Sequence, residues 1–131
     1  IDTFRPVKVE NAASHIMHGE QFEISEKSAD AINKPAGRVV AVGTTTVRTL
    51  ESAVNAEGNV ISSHGTTRLF IYPGFHFRVV DAIITNFHLP QSTLLMMIAA
   101  FAGRDNVMKA YETAVKERFR FFSFGDAMLI L

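Results

Sequence analysis

The sequence contains no cysteine among its 131 residues. Thiol catalysis, iron–sulfur ligation through cysteine and disulfide crosslinks are therefore excluded. A metal site would have to be built from histidine and carboxylate side chains. The lack of cysteine also fits a reducing compartment, and we expect a cytoplasmic protein.

The sequence also lacks net charge and long apolar runs. Its 13 basic and 13 acidic side chains cancel, so contact with nucleic acid would require a local basic patch. The longest apolar run after Pro90, residues 94–102, is about half the length that crosses a bilayer, which predicts a buried helix and no membrane contact. The chain begins at Ile1 without a basic leader followed by an apolar stretch. We therefore expect no signal peptide, and we expect that an N-terminal part of the protein is missing.

With 47% hydrophobic and 20% charged residues, the composition is typical of a globular domain. Apolar patterns predict strands that alternate with helices. Strands are predicted at residues 21–25, at 38–43 with both faces buried, at 68–74, within 77–86 and in the C-terminal tail. Helices are predicted after Ser25, over 44–55, after Pro90 and after Gly103, the last with Asp105 as its cap. Residues 55–67 are predicted to form a surface loop. This order predicts an α/β fold, with a largely parallel sheet and flanking helices.

Two turns of this predicted sheet carry many polar side chains. In "GTTTVRT", residues 43–49, Gly43 permits a sharp turn, and Thr44, Thr45 and Arg48 follow at the start of a helix, where backbone donors favour anions. This turn is therefore a candidate site for a carboxylate or a phosphate. Alternatively, a threonine caps the helix while Arg48 pairs with Glu51 at the surface.

The second turn is "TNFHLPQST", residues 85–93. Asn86 and His88 follow a predicted strand, and Pro90 is suited to the first turn of a helix. Ligands of such sheets bind at the carboxyl ends of the strands, so His88 is a candidate general base. The alternative is a histidine that bonds a backbone carbonyl and locks the turn. Ser92 and Thr93 are better suited to capping than to nucleophilic attack.

Three further clusters have weaker patterns. "HIMHGE", residues 15–20, brings together His15, His18 and Glu20, but intervals of three and two residues fit zinc ligation poorly, and substrate contact or a surface loop is favoured. Lys109, Lys116 and Arg120 lie on about one side of the last helix among glutamates, which favours a solvated face. Asp126 is either a site carboxylate or a turn residue bonded to its own backbone.

Six blocks together resemble the S-adenosylmethionine:tRNA ribosyltransferase-isomerase family of queuosine biosynthesis. These blocks are "TFRPV", "HIMHGE", "VGTTTVRTLES", "FIYPG", "TNFHLPQSTLL" and "YETAVKERFRFFSFGDAML", and they occur in the order of that family. The resemblance spans nearly the whole chain and is weakest through residues 56–66. It implies a two-domain enzyme, an α/β domain with a smaller β-barrel, of which residues 1–131 correspond to the C-terminal part of the α/β domain.

The resemblance also implies a reaction. The ribosyl part of S-adenosylmethionine would be transferred to 7-aminomethyl-7-deazaguanine at the tRNA wobble position and rearranged to epoxyqueuosine, with release of adenine and methionine. S-adenosylmethionine would then be a consumed substrate, tRNA the macromolecular partner, and no cofactor or metal would be needed. We expect the enzyme to be a monomer, and we expect this fragment alone to be inactive.

Site roles follow from chemistry within these blocks. His88 and His18 are candidate bases for removing a proton from the carbon beside the sulfonium. Arg48, Thr44 and Thr45 are candidates for the methionine carboxylate, Asn86, Ser92 and Thr93 for the ribose, and Glu20 and Asp126 for other substrate contacts. Two alternatives stay open: a different α/β enzyme that binds a small anion at Gly43, and a non-catalytic RNA-binding module that uses the last helix.

Overall fold

A computed structural model describes residues 17–34 and 36–131. Within these residues, the fold consists of two small sheets and four helices. The strands are β1 (Glu20–Ile24), β2 (Val40–Val42), β3 (Ser63–Thr67), β4 (Ala82–Asn86) and β5 (Ala127–Ile130), and the helices are α1 (Glu26–Asn33), α2 (Thr44–Ser52), α3 (Thr93–Ala102) and α4 (Arg104–Lys116), with a short 3₁₀ turn at Phe122–Phe124. The predicted α/β class is confirmed.

The larger sheet has the order β2-β4-β5. β2 and β4 are parallel, with Val42 opposite Ile84, whereas β5 runs antiparallel to β4. The smaller sheet pairs β1 and β3 antiparallel. Parallel pairing among the described strands is thus confined to β2 and β4, whose connection contains α2, and this connection sets the position of the candidate site.

Local sequence determines where two of the helices begin. The side chain of Ser25 accepts a hydrogen bond from Ser28 N at the start of α1, and Ser92 Oγ accepts from Leu95 N at the start of α3. Both are the standard way to satisfy a free amide in the first turn. The predicted cap Asp105 is wrong: α4 begins after Gly103 and has no side-chain cap.

Three predictions about a strand, a loop and the burial of β2 are also wrong. Residues 68–74 do not form a strand, and the predicted loop at 55–67 contains β3. β2 was expected to be buried on both faces, but Val40 and Val42 are 45% and 64% exposed while Ala41 is buried. The alternation arises because the face of β2 that carries Ala41 packs on the core, while no described element covers the face that carries Val40 and Val42.

The core lies between the larger sheet and the helices. Ala41, Ile83 and Met97 belong to its main cluster. A second cluster, which includes Phe87, Ile98 and Tyr111, packs α3 and α4 against the end of β4. Among the described residues, no helix is long and apolar enough to cross a membrane.

Candidate functional site

The two polar turns meet at one edge of the larger sheet. Gly43 N donates to Ile84 O at 2.8 Å, which extends the β2–β4 pairing into the turn before α2. The chain then leaves β4 at Asn86 and reaches the start of α3 at Thr93. Because the carboxyl ends of both strands lie together, the structure confirms that the turns predicted from the sequence converge.

His88 lies at this edge and is 5% exposed. Its ring nitrogen Nε2 is 2.8 Å from Thr85 Oγ1, and its backbone N donates to the hydroxyl of Tyr111 at 2.8 Å. The ring therefore bonds a hydroxyl group, and not the backbone carbonyl that the turn-lock alternative required. Thr85 and Tyr111 were not predicted as site residues, although Thr85 lies three residues before His88 on the core-facing side of β4.

Burial lowers the pKa of His88 from 6.5 to about 4. The imidazole is consequently neutral near pH 7. Its second nitrogen, Nδ1, is buried and has no hydrogen-bond partner among the described residues. An unsatisfied buried polar atom costs about 1–3 kcal/mol, so this arrangement requires an explanation.

The other residues of the second turn have structural partners. Ser92 caps α3 and also donates to Leu89 O at 2.7 Å, while Thr93 is buried as the first residue of the helix. Asn86 is half-buried and donates through Nδ2 to Asp126 O at 3.2 Å. These bonds tie the turn to α3 and to the residue that precedes β5.

Arg48 is 1% exposed and connects three segments. Its Nη1 is 2.9 Å from Oε2 of Glu20, its Nε donates to Leu69 O at 2.9 Å, and its Nη2 donates to His18 O at 3.3 Å. Burial lowers the pKa of Arg48, and the negative charge of Glu20 partly offsets this. The alternative of a surface pair between Arg48 and Glu51 is wrong.

Glu51 instead holds the segment before β4. Its two carboxylate oxygens accept hydrogen bonds from the backbone N of Arg78, Val79 and Val80, each at 3.0 Å. Glu51 is 6% exposed. No local sequence pattern indicates this role of Glu51, because its partners lie 27 to 29 residues away.

The start of α2 leaves backbone donors available at the sheet edge. Its N-cap is Gly43, with a φ of 87°, and no side chain caps the helix. Thr44 is buried and Thr45 is exposed, whereas Thr46 donates its hydroxyl to Val42 O at 2.7 Å. The alternative in which Thr44 or Thr45 caps the helix is therefore wrong, because Gly43 occupies the cap position.

The side chains of the remaining candidates have other partners or are exposed. The carboxylate of Asp126 pairs with the guanidinium of Arg120 at 3.0 Å and accepts a hydrogen bond from the backbone N of Arg120 at 2.7 Å. This agrees with the alternative of a turn residue. The hydrogen bonds from Arg120 lower the pKa of Asp126. Lys109, Lys116 and Arg120 are exposed. His15 and the block "TFRPV" lie outside the described residues; within residues 17–34 and 36–131, no group of three potential metal ligands is found.

Comparison with known proteins places these residues in context. Residues 1–130 match a family model described as "Queuosine biosynthesis protein". Two relatives named S-adenosylmethionine:tRNA ribosyltransferase-isomerase are similar over essentially the whole chain: the protein of Desulforamulus reducens is 54% identical over 100% of this chain, and that of Clostridioides difficile is 56% identical over 99%. The chain spans 39% of the length of each.

A solved structure is similar as well. The crystal structure of S-adenosylmethionine tRNA ribosyltransferase from Thermotoga maritima superposes with a TM-score of 0.78 at 54% identity. The superposition covers 85% of this chain and 40% of that protein.

Proposed function

Because this chain belongs to the queuosine biosynthesis protein family, we propose that it is the C-terminal part of the α/β domain of a tRNA ribosyltransferase-isomerase. The enzyme would transfer the ribosyl moiety of S-adenosylmethionine to 7-aminomethyl-7-deazaguanine in tRNA and isomerise it to epoxyqueuosine, releasing adenine and methionine. The match over residues 1–130 is the observation that carries this proposal.

The chain would act only as part of a longer protein. It spans 39% of the relatives it matches, so the remaining portion of the enzyme would supply further substrate contacts. We therefore propose that the chain alone is inactive, and that the complete enzyme works as a monomer in the cytoplasm, where its tRNA substrate is found. S-adenosylmethionine would be consumed as a substrate, and no cofactor or metal is proposed.

The chemistry requires a proton to be removed from the carbon next to the sulfonium, and adenine to leave. His88 and His18 are the candidate histidines for this proton transfer. The methionine carboxylate would meet the exposed Thr45 and the free amide groups where α2 begins, because a helix N-terminus favours an anion. Thr44 would support this contact from the buried side.

The buried Arg48 would have a positioning role in this proposal. Its guanidinium already contacts Glu20 and the backbone carbonyl oxygens of Leu69 and His18, and its burial leaves little access for a second carboxylate. Arg48 would instead hold the His18–Glu20 segment beside the site. Asn86, Ser92 and Thr93 would shape the wall that faces the ribose, and Asp126 would act by fixing the position of Asn86.

A hybrid enzyme tests the proposal. In it, this chain replaces the segment that it matches in the D. reducens relative. We expect the hybrid to release adenine from S-adenosylmethionine only when tRNA carrying the modified base is present, and we expect the chain alone to release none. A folded hybrid that binds both substrates without releasing adenine would contradict the assignment, and tRNA binding without turnover would favour an RNA-binding module.

A further inference from the structure

The hydrogen bonds of His88 are incomplete on one side of the ring. Nε2 faces the hydroxyl of Thr85, and the backbone N of the same residue is held by Tyr111. Nδ1 has no partner among the described residues although it is fully buried. Native proteins nearly always bond buried polar atoms, so a buried atom that is left open points to a ligand.

The surroundings of His88 determine which chemistry is available at Nδ1. The groups that bond this residue, the Thr85 hydroxyl on β4 and the Tyr111 hydroxyl on α4, are uncharged, and burial raises the pKa of Tyr111 further. No described carboxylate forms an ion pair with the ring. An imidazolium would therefore be formed without a counter-charge, in agreement with the depressed pKa of about 4.

We propose that His88 acts as a neutral hydrogen-bonding residue whose Nδ1 contacts an uncharged polar group of the nucleoside part of S-adenosylmethionine, and that Thr85 and Tyr111 position it. This inference rests on the proposed function, and it leaves His18 as the histidine candidate for proton removal. Leu89, Pro90 and Gln91, which follow His88 in the chain, are exposed, so a shift of this exposed turn is the route by which a ligand would reach Nδ1. Neutral imidazole is an established hydrogen-bonding group in active sites.

Two amide substitutions separate the nitrogens of His88. In the hybrid enzyme, His88→Asn retains a polar atom near the position of Nδ1, and His88→Gln retains one near Nε2. Neither amide side chain gains or loses a proton near neutral pH. His76→Asn, on an exposed loop residue, is the matched control. Adenine release is measured against S-adenosylmethionine concentration and pH.

We expect His88→Asn, which keeps a polar atom near Nδ1 but loses the bond from Nε2 to Thr85 Oγ1, to raise KM by a few-fold, with an unchanged pH profile. His88→Gln should lower kcat/KM by about tenfold, chiefly through KM, because one hydrogen bond to the substrate is lost. A loss of about 10²-fold or more in kcat in both variants, with KM unchanged, would identify proton transfer and overturn the proposal. Equal activity in both variants, or higher activity in His88→Gln, would also overturn it.

The positioning roles need a readout that general destabilisation does not mimic. Thr85→Val should reproduce the few-fold KM effect of His88→Asn, because both variants remove the hydrogen bond at Nε2. Thr85→Ser should restore the parent KM, because serine retains the hydroxyl, and failure of serine to rescue would refute the role of Thr85. Tyr111→Phe should also raise KM, because the backbone N of His88 loses its acceptor, and an unchanged KM would refute the role of Tyr111. Urea unfolding of each variant identifies a loss of folding.

An independent measurement covers variants that do not fold. The ring nitrogen resonances of His88 in the unmodified hybrid are followed by NMR as S-adenosylmethionine is added. A change at Nδ1, without protonation, is expected, whereas an unchanged Nδ1 resonance at saturating ligand would refute the contact. If the hybrid binds S-adenosylmethionine with the expected Nδ1 change but releases no adenine, the proposed function fails while the contact stands.

Discussion

The buried neutral state of His88 predicts a specific loss of stability in acid. Its pKa falls from 6.5 to about 4 on folding, so between these two values the unfolded chain binds a proton that the folded chain excludes. The contribution of this group to stability is therefore complete above the unfolded pKa and is lost as the pH falls towards the folded pKa. The perturbation to apply is a change from about pH 7 to about pH 5.

The size of the effect follows from the two pKa values. The linkage relation gives a decrease of about 2 kcal/mol in the free energy of unfolding over this interval. Urea unfolding of the 131-residue chain at several pH values measures it, with His88→Gln for comparison, because glutamine does not titrate. His64→Gln, on an exposed position of β3, is the control for loss of a histidine elsewhere.

We expect the parent and the His64→Gln control to lose this stability in parallel, while His88→Gln shows a curve that is flatter by about 2 kcal/mol. Carboxylates contribute equally to all three proteins and cancel in the comparison. If the parent and His88→Gln lost stability equally between the two pH values, the burial and neutrality assigned to His88 would be refuted.

Three further predictions concern the contacts around the site, each measured as the free energy of unfolding in urea. Glu20→Gln removes the carboxylate that pairs with the buried Arg48, so we expect a loss of about 3–5 kcal/mol; a loss below about 1 kcal/mol would show that the pair is effectively exposed. Glu51→Gln replaces one of the two carboxylate oxygens that accept hydrogen bonds from the backbone N of residues 78–80. We expect a loss of about 1–3 kcal/mol in the free energy of unfolding, against little change for the exposed Glu57→Gln. Ser92→Ala removes the α3 cap and should cost about 1 kcal/mol, whereas Ser92→Thr should retain most of the stability; equal loss in both would argue against capping.

Sequence patterns predicted well the features that depend on nearby residues. The caps Ser25 and Ser92 use amides three residues ahead, and such patterns are visible locally. The convergence of the Gly43 and His88 turns was also predicted, because the parallel pairing of β2 and β4 follows from two apolar strands joined through a helix.

Features that depend on distant partners were not predictable in this way. Arg48 finds its partners 21 to 30 residues away in sequence, and no local pattern distinguishes such a buried arginine from a surface one. β3 is polar because it pairs with β1 in a two-stranded sheet that is largely exposed. Within residues 68–74, Ile71 is buried in the core although the segment does not pair as a strand. Apolar periodicity cannot distinguish a buried strand from a buried segment without strand pairing.

The exposed face of β2 follows the same logic. The apolar run that contains Val40 and Val42 is typical of a strand buried on both faces. The exposure of each face, however, depends on which elements pack against it. The sequence alone contains no information on that packing, so the continuous apolar run predicted the strand correctly but not its burial.

The most direct test of the proposed function is the mass of the nucleoside at the tRNA wobble position after incubation with S-adenosylmethionine and the hybrid enzyme. We predict that the hybrid converts 7-aminomethyl-7-deazaguanosine to epoxyqueuosine, and that the 131-residue chain alone leaves it unmodified. Unchanged tRNA with a folded hybrid that binds both substrates would contradict the proposed function, and modification by the chain alone would contradict the need for the rest of the enzyme.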